Sequence, residues 1–170
     1  LHQPGIAVGG HCIPVYPRLY LWNDPDATVV RTARHTNESM PAYCVNLARV
    51  ALGSLRGLTI LVLGASYRAG VKETAFSGAF ALVSAAKEHG AVVVVKDPLY
   101  SSEELANLGL PPATEHQRAD VLIIQADHTE YESIHRSDFP DVQLVIDGRP
   151  RPHHRRSPDI HTIALGQPLR

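Results

Sequence analysis

Four short apolar segments constrain the fold of this chain more than any other feature of its sequence. They are LTILVLG at 58–64, AVVVVKD at 91–97, DVLIIQA at 120–126 and VQLVID at 142–147, with IHTIALG at 160–166 as a weaker fifth. Unbroken apolar runs of this length are typical of strands that are buried on both faces. The sequence therefore predicts a sheet of four or five central strands.

Helical segments alternate with these strands. Residues 75–89 form an amphipathic run that stops at Gly90, and SSEELANL at 101–108 begins with capping serines and an acidic first turn. TEYESI at 129–134 predicts a further helical turn. Strands that alternate with helices predict an α/β fold with a mainly parallel sheet.

A long helix is predicted ahead of the first strand, over residues 28–52. Apolar residues recur there at three- and four-residue spacing on one stripe, which includes Met40, Cys44 and Leu47. Pro41 either kinks this helix or begins its second half, with Ser39 as the cap. Residues 1–27 are predicted to be irregular, because prolines at positions 4, 14, 17 and 25 interrupt any long element.

Composition excludes some partners. The 16 basic and 17 acidic side chains leave a net charge of −1, which gives no support to a polyanion or membrane-surface partner. No apolar run approaches the roughly 20 residues that a membrane span requires. The two cysteines form no CxxC pair, so no disulfide framework is expected and a reducing cytoplasm is favoured.

In parallel sheets of this class, ligands bind at the carboxyl ends of the strands. Four segments follow strand ends: Gly64–Thr74, Asp97, Asp127–Thr129 and Asp147–Arg149. GASYRAG, which follows the first strand, is not the GxGxxG fingerprint of dinucleotide-binding proteins. Arg68 or Lys72 beside a helix start suits a phosphate, and an ordinary connecting loop is the equal alternative.

Two further strand-end residues have polar side chains suited to a ligand. Asp97 lies where this fold class often binds a ribose hydroxyl, although a capped turn before Pro98 is favoured without the fingerprint. Arg149 follows a strand end and a glycine, so its planar donor fork can bind a phosphate or carboxylate. The surrounding basic loop, 147–156, has no interleaved aromatic residue for nucleic acid, and its His153–His154 pair has no third metal ligand.

The two cysteines differ in their surroundings. Cys44 lies on the apolar stripe of the long helix and is predicted to be a packed core residue. Cys12 lies in GIAVGGHCIPVYP, residues 5–17, which is rich in glycine and proline. Either it is a structural thiol in a tight connection or it is a nucleophile that a substrate can reach. His11 is adjacent in sequence, which by itself does not place its ring against the sulfur.

Motifs along most of the chain resemble those of one family. In order they are GGHCIPV, a long helix containing NESMP, then VLGASYR, KDP, ADVLII and VIDGR. This series is similar to that of the nucleotide-sugar 6-dehydrogenases, the UDP-glucose/GDP-mannose dehydrogenase family. GGHCIPV is closest to the branch that oxidises UDP-N-acetylhexosamines such as UDP-N-acetylmannosamine.

The resemblance implies a three-part enzyme with an NAD-binding domain, a central helical dimerisation region and a C-terminal Rossmann-like domain that binds the UDP-sugar. Residues 1–55 would hold the cysteine loop and the end of the central region, and residues 56–170 the C-terminal domain. The chain would pair as a homodimer through the helix at 28–52. Without the NAD-binding domain and the family's catalytic Lys and Asn, it is expected to be inactive alone.

The implied reaction oxidises a sugar C6 hydroxyl to a carboxylate in two steps with NAD, in the cytoplasm, and supplies precursors for surface polysaccharide. Cys12 matches the family's nucleophile, which forms a thiohemiacetal and then a thioester. Gly9 and Gly10 would let the substrate and the nicotinamide approach the loop, so Gly10 and Cys12 are also expected near the cofactor.

The remaining implied substrate contacts lie after the strands. Tyr67 and Arg68 match an aromatic-Lys pair of the family near the substrate, with Arg in place of Lys. Arg149, in DGR, matches an arginine that binds the nucleotide sugar.

Three positions depart from the family pattern. Tyr16 stands where the family usually has an Asp that assists the water or thioester step, and Ala75 where some members have an Arg directed toward NAD. Val15 replaces a frequent Lys. These departures indicate either a subgroup with a rearranged site or a copy with altered activity. Tyr16 and Ala75 are the main support for the alternative, a non-catalytic nucleotide-binding module derived from the same family.

Overall fold

The computed structural model describes residues 5–166. Two helices come first and a strand-helix alternation follows. The helices are α1 (Cys12–Asn23), α2 (Thr28–Leu52), α3 (Gly78–Glu88) and α4 (Ser102–Asn107), with a 3-10 turn at Thr129–Tyr131. The strands are β1 (Thr59–Leu63), β2 (Val92–Lys96), β3 (Val121–Ile124), β4 (Ser133–Ile134), β5 (Leu144–Asp147), β6 (Arg155–Arg156) and β7 (His161–Ala164).

Five of these strands form one sheet in the order β2-β1-β3-β5-β7, and every neighbouring pair is parallel. This order is that of a doubly wound sheet, in which the strand order reverses beside β1 and opens a cleft between β1 and β3. The predicted α/β fold with a parallel sheet is therefore confirmed, including the weaker fifth strand. β4 and β6 make a separate short parallel pair.

The sheet is buried on both faces, which explains why its strands read as unbroken apolar runs. Ile60 and Val62 of β1 pack into one core layer with residues of α2 and α3. Leu61 and Leu63, the alternate residues of the same strand, pack into a second layer. That second layer is covered mainly by the connections around β4, through Tyr131, Ile134, Val142 and Ile160.

The long helix predicted at 28–52 is confirmed with the same bounds. Pro41 lies inside it, and α2 continues through that position as one element. Ser39 does not cap a second helix, because its hydroxyl donates to the carbonyl of Thr36 at 2.9 Å. Cys44 and Val45, in the second half of α2, lie in the same core as the sheet. The division of the chain at residue 55 stays a proposal.

The prediction that residues 1–27 are irregular is wrong for residues 12–23, which form α1. Pro14 is the third residue of α1, where a backbone N–H has no partner within the helix, so a proline costs little. Pro17 removes a single hydrogen bond, and the last turn closes with the Asp24 amide donating to the Tyr20 carbonyl at 2.8 Å. Pro25 lies between the two helices, and Pro4 lies outside the described residues.

α4 begins as its sequence predicts. The Ser101 hydroxyl accepts the Glu104 amide at 3.2 Å, and the Glu104 carboxylate accepts the Ser101 amide at 2.8 Å, which is a capping box. Within residues 5–166, no helix is both long and apolar enough to cross a membrane.

Candidate functional site

All six residues predicted for the site line one cavity of about 420 Å³. Three parts of the chain form it: the segment before α1, the loop after β1 and the loop after β5. The lining residues are Gly5, Ala7, Val8, Gly9, Gly10, His11, Cys12, Ile13, Tyr67, Arg68 and Arg149. The cavity therefore lies at the carboxyl edge of the sheet, where the strand order predicts a ligand.

The segment before α1 is fixed to the rest of the protein at three points. Ile6 is fully buried in the core. The Val8 amide donates to the Asn37 side-chain oxygen at 2.8 Å, and the Gly10 amide donates to the Ala75 carbonyl at 2.8 Å. These contacts fix the cysteine segment to α2 and to the loop after β1. They therefore hold Cys12 in position at the cavity.

Two glycines permit this close approach. A Cβ atom on Gly9 would lie 2.5 Å from the Tyr67 Cβ and 2.9 Å from the Phe76 carbonyl oxygen, so no larger residue fits. Gly10 has φ +86°, a left-handed conformation that other residues rarely adopt. The GG pair is therefore required by the shape of the loop, which packs against Tyr67 immediately before Cys12.

Cys12 is exposed at the first residue of α1, whereas Cys44 is fully buried. The packing of Cys44 in the core confirms the predicted structural role, and this burial raises the pKa of its thiol to about 12. Both cysteines are free, and only Cys12 borders the cavity. The structure thus separates the two roles that cysteine spacing alone left open.

Arg149 is held by two backbone carbonyls. Its Nη2 donates to the Tyr67 carbonyl at 2.9 Å and its Nε to the Gln125 carbonyl at 3.4 Å, while burial lowers the pKa of the guanidinium. One edge of the donor fork is thus engaged within the protein. Nη1, at the other edge, makes no hydrogen bond within residues 5–166 and lies on a side chain that lines the cavity.

Of the two basic residues proposed for a phosphate after β1, one lines the cavity. The Arg68 guanidinium lies 5.7 Å from the centre of the Tyr67 ring, within the lining. Lys72 instead pairs with Glu104 and lies 5.1 Å from the Tyr100 ring, outside the lining. Arg68 and Arg149 supply the positive charge of the cavity.

Asp97 does not offer a free carboxylate to a ribose. Its Oδ2 accepts the amides of Ala65 at 2.8 Å and Ser66 at 3.0 Å, and its Oδ1 accepts the Leu99 amide at 2.9 Å. Burial alone would raise the pKa of Asp97, but the contact with His128 and these amides outweigh it and hold the pKa at about 2. The capped turn that the sequence favoured is confirmed.

The basic loop after β5 is partly internal. Asp147 accepts a hydrogen bond from Arg156 at 2.8 Å, and the His154 side chain is buried beside the same carboxylate, with its pKa lowered by burial. Arg151 pairs with Asp127 at 2.6 Å. Among residues 5–166, no group of three His, Cys, Asp or Glu side chains is arranged to hold a metal ion.

The sequence did not predict the contact between His11, next to Cys12, and Glu73 in the loop after β1. The His11 Nε2 atom lies 3.2 Å from the Glu73 carboxylate, which also accepts the Ala75 amide at 2.9 Å. These contacts lower the pKa of Glu73, with the Ala75 amide as the main cause. The pairing joins residues 62 positions apart, and no sequence signal predicts it.

The fold and the cavity define a class of protein: an α/β protein with a doubly wound sheet, whose carboxyl edge offers an exposed thiol and two arginines to an anionic ligand. The sequence also matches a described family, the UDP-glucose/GDP-mannose dehydrogenase family, UDP binding domain, over residues 61–151. The chain belongs to this family.

Relatives with assigned names are consistent with this family assignment. A UDP-N-acetyl-D-mannosamine dehydrogenase of Pyrococcus horikoshii is 33% identical over 157 residues, which cover 88% of this chain and 36% of that protein. An NDP-N-acetyl-D-galactosaminuronic acid dehydrogenase of Ralstonia solanacearum is 30% identical over 154 residues, 86% of this chain and 36% of that protein. The chain thus spans about a third of the length of these relatives.

Solved structures show the same fold. The structure of UDP-D-ManNAc dehydrogenase from Pyrococcus horikoshii superposes with a TM-score of 0.80 at 30% identity, over 97% of this chain and 40% of that one. A UDP-glucose dehydrogenase from Pyrobaculum islandicum gives a TM-score of 0.76 at 24% identity, over 93% of this chain and 38% of that one, which shows the fold alone.

Proposed function

We propose that this chain is the UDP-sugar-binding and nucleophile-bearing portion of an NAD-dependent nucleotide-sugar 6-dehydrogenase. The single observation that carries the proposal is the cavity in which Cys12, Arg68 and Arg149 meet, although 137 positions separate the first and the last of them (149 − 12). An exposed thiol that shares a cavity with two cations suits a substrate that has a carbon to be oxidised and a diphosphate.

In this proposal Arg149 and Arg68 bind the diphosphate, and Tyr67 borders the sugar. Arg149 suits this role because the Tyr67 and Gln125 carbonyls hold its guanidinium before any ligand arrives. A guanidinium that is already oriented loses less conformational freedom when it binds an anion. Gly9 and Gly10 leave the backbone open beside the thiol.

Cys12 would carry the chemistry. Its thiolate adds to the C6 aldehyde, so a C–S bond forms and the carbonyl oxygen takes a proton to give a thiohemiacetal. Loss of a hydride from C6 and of the proton from the hydroxyl oxygen then gives a thioester. Water adds to the thioester carbonyl, the C–S bond breaks, and the carboxylate and the thiol are released. A thiol suits both stages because it is a good nucleophile and a competent leaving group.

The oxidant in the proposal is NAD, which accepts the hydrides. The sheet of this chain does not fit the body of a dinucleotide, because GASYRAG lacks the fingerprint and the Asp97 carboxylate is fully engaged. Only Gly10 and Cys12, which line the cavity, are proposed for the approach of a reacting nicotinamide. We therefore assign the dinucleotide site to a part of the enzyme other than residues 5–166.

We propose a UDP-N-acetylhexosamine as the substrate, because GGHCIPV matches that branch and the names of the Pyrococcus horikoshii and Ralstonia solanacearum relatives specify N-acetylated sugars. We also propose that the enzyme is cytoplasmic, because reducing conditions there keep an exposed thiol free. Its product would serve as a precursor of surface polysaccharide. The proposal retains residues 1–55 as the end of a central region and residues 56–170 as the UDP-sugar domain.

A titration with UDP tests this assignment directly. Calorimetry on the intact chain should show binding of one UDP, and Arg149→Lys should weaken it by about tenfold, because Lys cannot replace a planar fork held by two carbonyls. Arg31→Lys, on the exposed surface of α2, is the matched control and should leave the affinity unchanged. Equal UDP affinities for the wild type and Arg149→Lys would contradict the site.

The alternative function, a non-catalytic nucleotide-binding module, is favoured by the side chains at two positions. Tyr16 is 64% exposed one turn beyond Cys12 and offers no carboxylate, and Ala75 offers only its backbone to the Gly10 amide. Replacing Cys12 by Ser in the full-length enzyme separates the two: a dehydrogenase loses acid formation, whereas a binding module never formed the acid and keeps its UDP affinity. The chain alone, given UDP-sugar and NAD, is expected to form no NADH.

We also propose a homodimer through α2, to which α1 contributes. Large apolar side chains are exposed on both helices; they are Ile13, Tyr16, Leu19, Tyr20 and Trp22 on α1 and Val29, Tyr43 and Val50 on α2. Trp22 is 87% exposed and Val29 80% exposed. Covering such side chains is favourable, and a second copy of the same surface covers both sets at once.

A further inference from the structure

The loop between β1 and α3, residues 64–77, is anchored at two places on either side of Tyr67 and Arg68. At its start, the Ala65 and Ser66 amides donate to one oxygen of Asp97. Farther along, the Gly70 amide donates to the Nδ1 atom of His128 at 3.4 Å. Tyr67 and Arg68, two of the three residues between the anchors, line the cavity.

The two anchors are joined to each other. The His128 Nε2 atom lies 3.2 Å from Asp97 Oδ2, and the His128 and Asp97 side chains are 3% and 0% exposed. Because Nδ1 accepts a hydrogen bond from Gly70, the ring proton is on Nε2, which contacts the Asp97 carboxylate without the alignment of a hydrogen bond. Tyr131 packs edge-on against the ring, with 5.8 Å between centroids, and closes the group from solvent.

The anchored loop also holds Arg149. The Tyr67 carbonyl accepts the Arg149 Nη2 hydrogen bond at 2.9 Å, and the Tyr67 amide donates to the Glu73 carbonyl at 3.1 Å. A displacement of the loop would therefore move Tyr67 and Arg149 together. Neither Asp97 nor His128 lines the cavity, so any effect of this pair on a ligand has to pass through the loop.

We propose that Asp97 and His128 are positioning residues for the ligand cavity. They hold the loop at 64–77 so that Tyr67, Arg68 and, through the Tyr67 carbonyl, Arg149 are oriented before the ligand binds. The carboxylate that would bind a ribose in a dinucleotide fold is used here to fix the loop beside the neighbouring cavity. The inference rests on the proposed function, since the ligand it names is UDP.

Two substitutions of His128 separate its two contacts. His128→Gln keeps an N–H near the Nε2 position for Asp97 but loses the acceptor for Gly70, and His128→Asn does the reverse. Both should speed amide hydrogen exchange in residues 64–70 by about tenfold or more, because each removes one of the two contacts by which His128 joins Gly70 to Asp97. Exchange in β1 and β3 reports global unfolding and shows whether a variant is merely destabilised. Unchanged loop exchange in both variants would overturn the inference.

UDP affinity then tests whether His128 influences ligand binding through the loop residues that line the cavity. His128→Gln should weaken UDP binding by about tenfold in the wild-type background, but by less than about threefold in an Arg68→Ala background, because part of the loss acts through Arg68. An equal loss in both backgrounds indicates a general structural role and contradicts the inference. His116→Gln, an exposed histidine, is the control and should change neither readout.

The two readouts keep the proposals apart. A wild-type chain that binds no UDP contradicts the proposed function, and the exchange experiment then decides alone whether the pair holds the loop. UDP binding that is insensitive to His128, together with a loosened loop, contradicts the positioning role and leaves the proposed function standing.

Discussion

Cys12 and Cys44 show how position alone gives the same side chain two different chemistries. Cys12 is exposed at the start of α1 and borders the cavity, whereas Cys44 is fully buried in α2. Burial in an apolar layer disfavours the thiolate, which is the reactive form of cysteine. Only one of the two can therefore react with a substrate or a reagent while the chain is folded.

Alkylation with iodoacetamide should reveal this difference at the residue scale. At neutral pH the native chain should gain one adduct, at Cys12. Cys44 should not react, because its burial raises the pKa of the thiol to about 12 and keeps it protonated. In concentrated urea both cysteines should react. Peptide mass spectrometry locates the adducts, and Cys12→Ser should abolish the native reaction. Modification of Cys44 before Cys12 would contradict the assignment.

At the scale of elements, α1 and α2 differ from the rest of the molecule in how little of their apolar surface is covered. Pro14 is the one buried residue of α1, and the buried residues of α2 begin at Pro41. By contrast, α3 buries six of its 11 residues against the sheet. The first half of the helical region therefore leaves most of its apolar side chains uncovered within residues 5–166, which supports the proposed dimer.

Val29→Glu tests the dimer without weakening the helix itself. Val29 is the second residue of α2, where an acidic side chain suits the positive end of the helix dipole. The substitution should shift the sedimentation mass from dimer to monomer at micromolar concentrations with no loss of helical signal. Leu108→Glu, at an exposed apolar residue after α4, is the control. A wild type that sediments as a monomer at all concentrations would contradict the dimer.

At the scale of the whole molecule, Asp97 joins three parts of the fold. It directly follows β2, accepts amides from the loop after β1, and contacts His128 after β3. Its pKa lies at about 2 in the folded chain against an ordinary 3.8. A carboxyl group whose pKa is depressed by folding stabilises the protein above its unfolded pKa, and this stability is lost as the pH falls through the folded pKa.

Acid unfolding should therefore depend on Asp97 between about pH 4 and pH 2. Asp97→Asn should lower the free energy of unfolding by about 2 kcal/mol at pH 7, since the charge-dependent interaction is lost. It should also flatten the fall of stability across that pH window. Urea titrations at several pH values measure both effects, with the exposed Asp26→Asn as control. A parallel loss at pH 7 and pH 2 would contradict this account.

Much of the fold was predictable because its signals are local. Unbroken apolar runs located the five strands of the sheet, and the SSEE start of α4 predicted a cap that the structure confirms. α1 escaped prediction because its prolines suggested a break, although a proline in the first turn of a helix has no hydrogen bond to remove. Pro17 shows that one missing bond does not end a helix that is otherwise continuous.

The chain's own sequence determined the order of strands and helices, the buried state of Cys44 and the family, since periodicity, apolar runs and ordered motifs are read along the chain. Only the tertiary structure decided that Cys12, Arg68 and Arg149 share one cavity and that Asp97 holds a loop instead of facing a ligand. The physical reason is distance along the chain. Contacts such as His11 with Glu73 and Arg149 with Tyr67 join residues 62 and 82 positions apart, and no local pattern encodes such pairings.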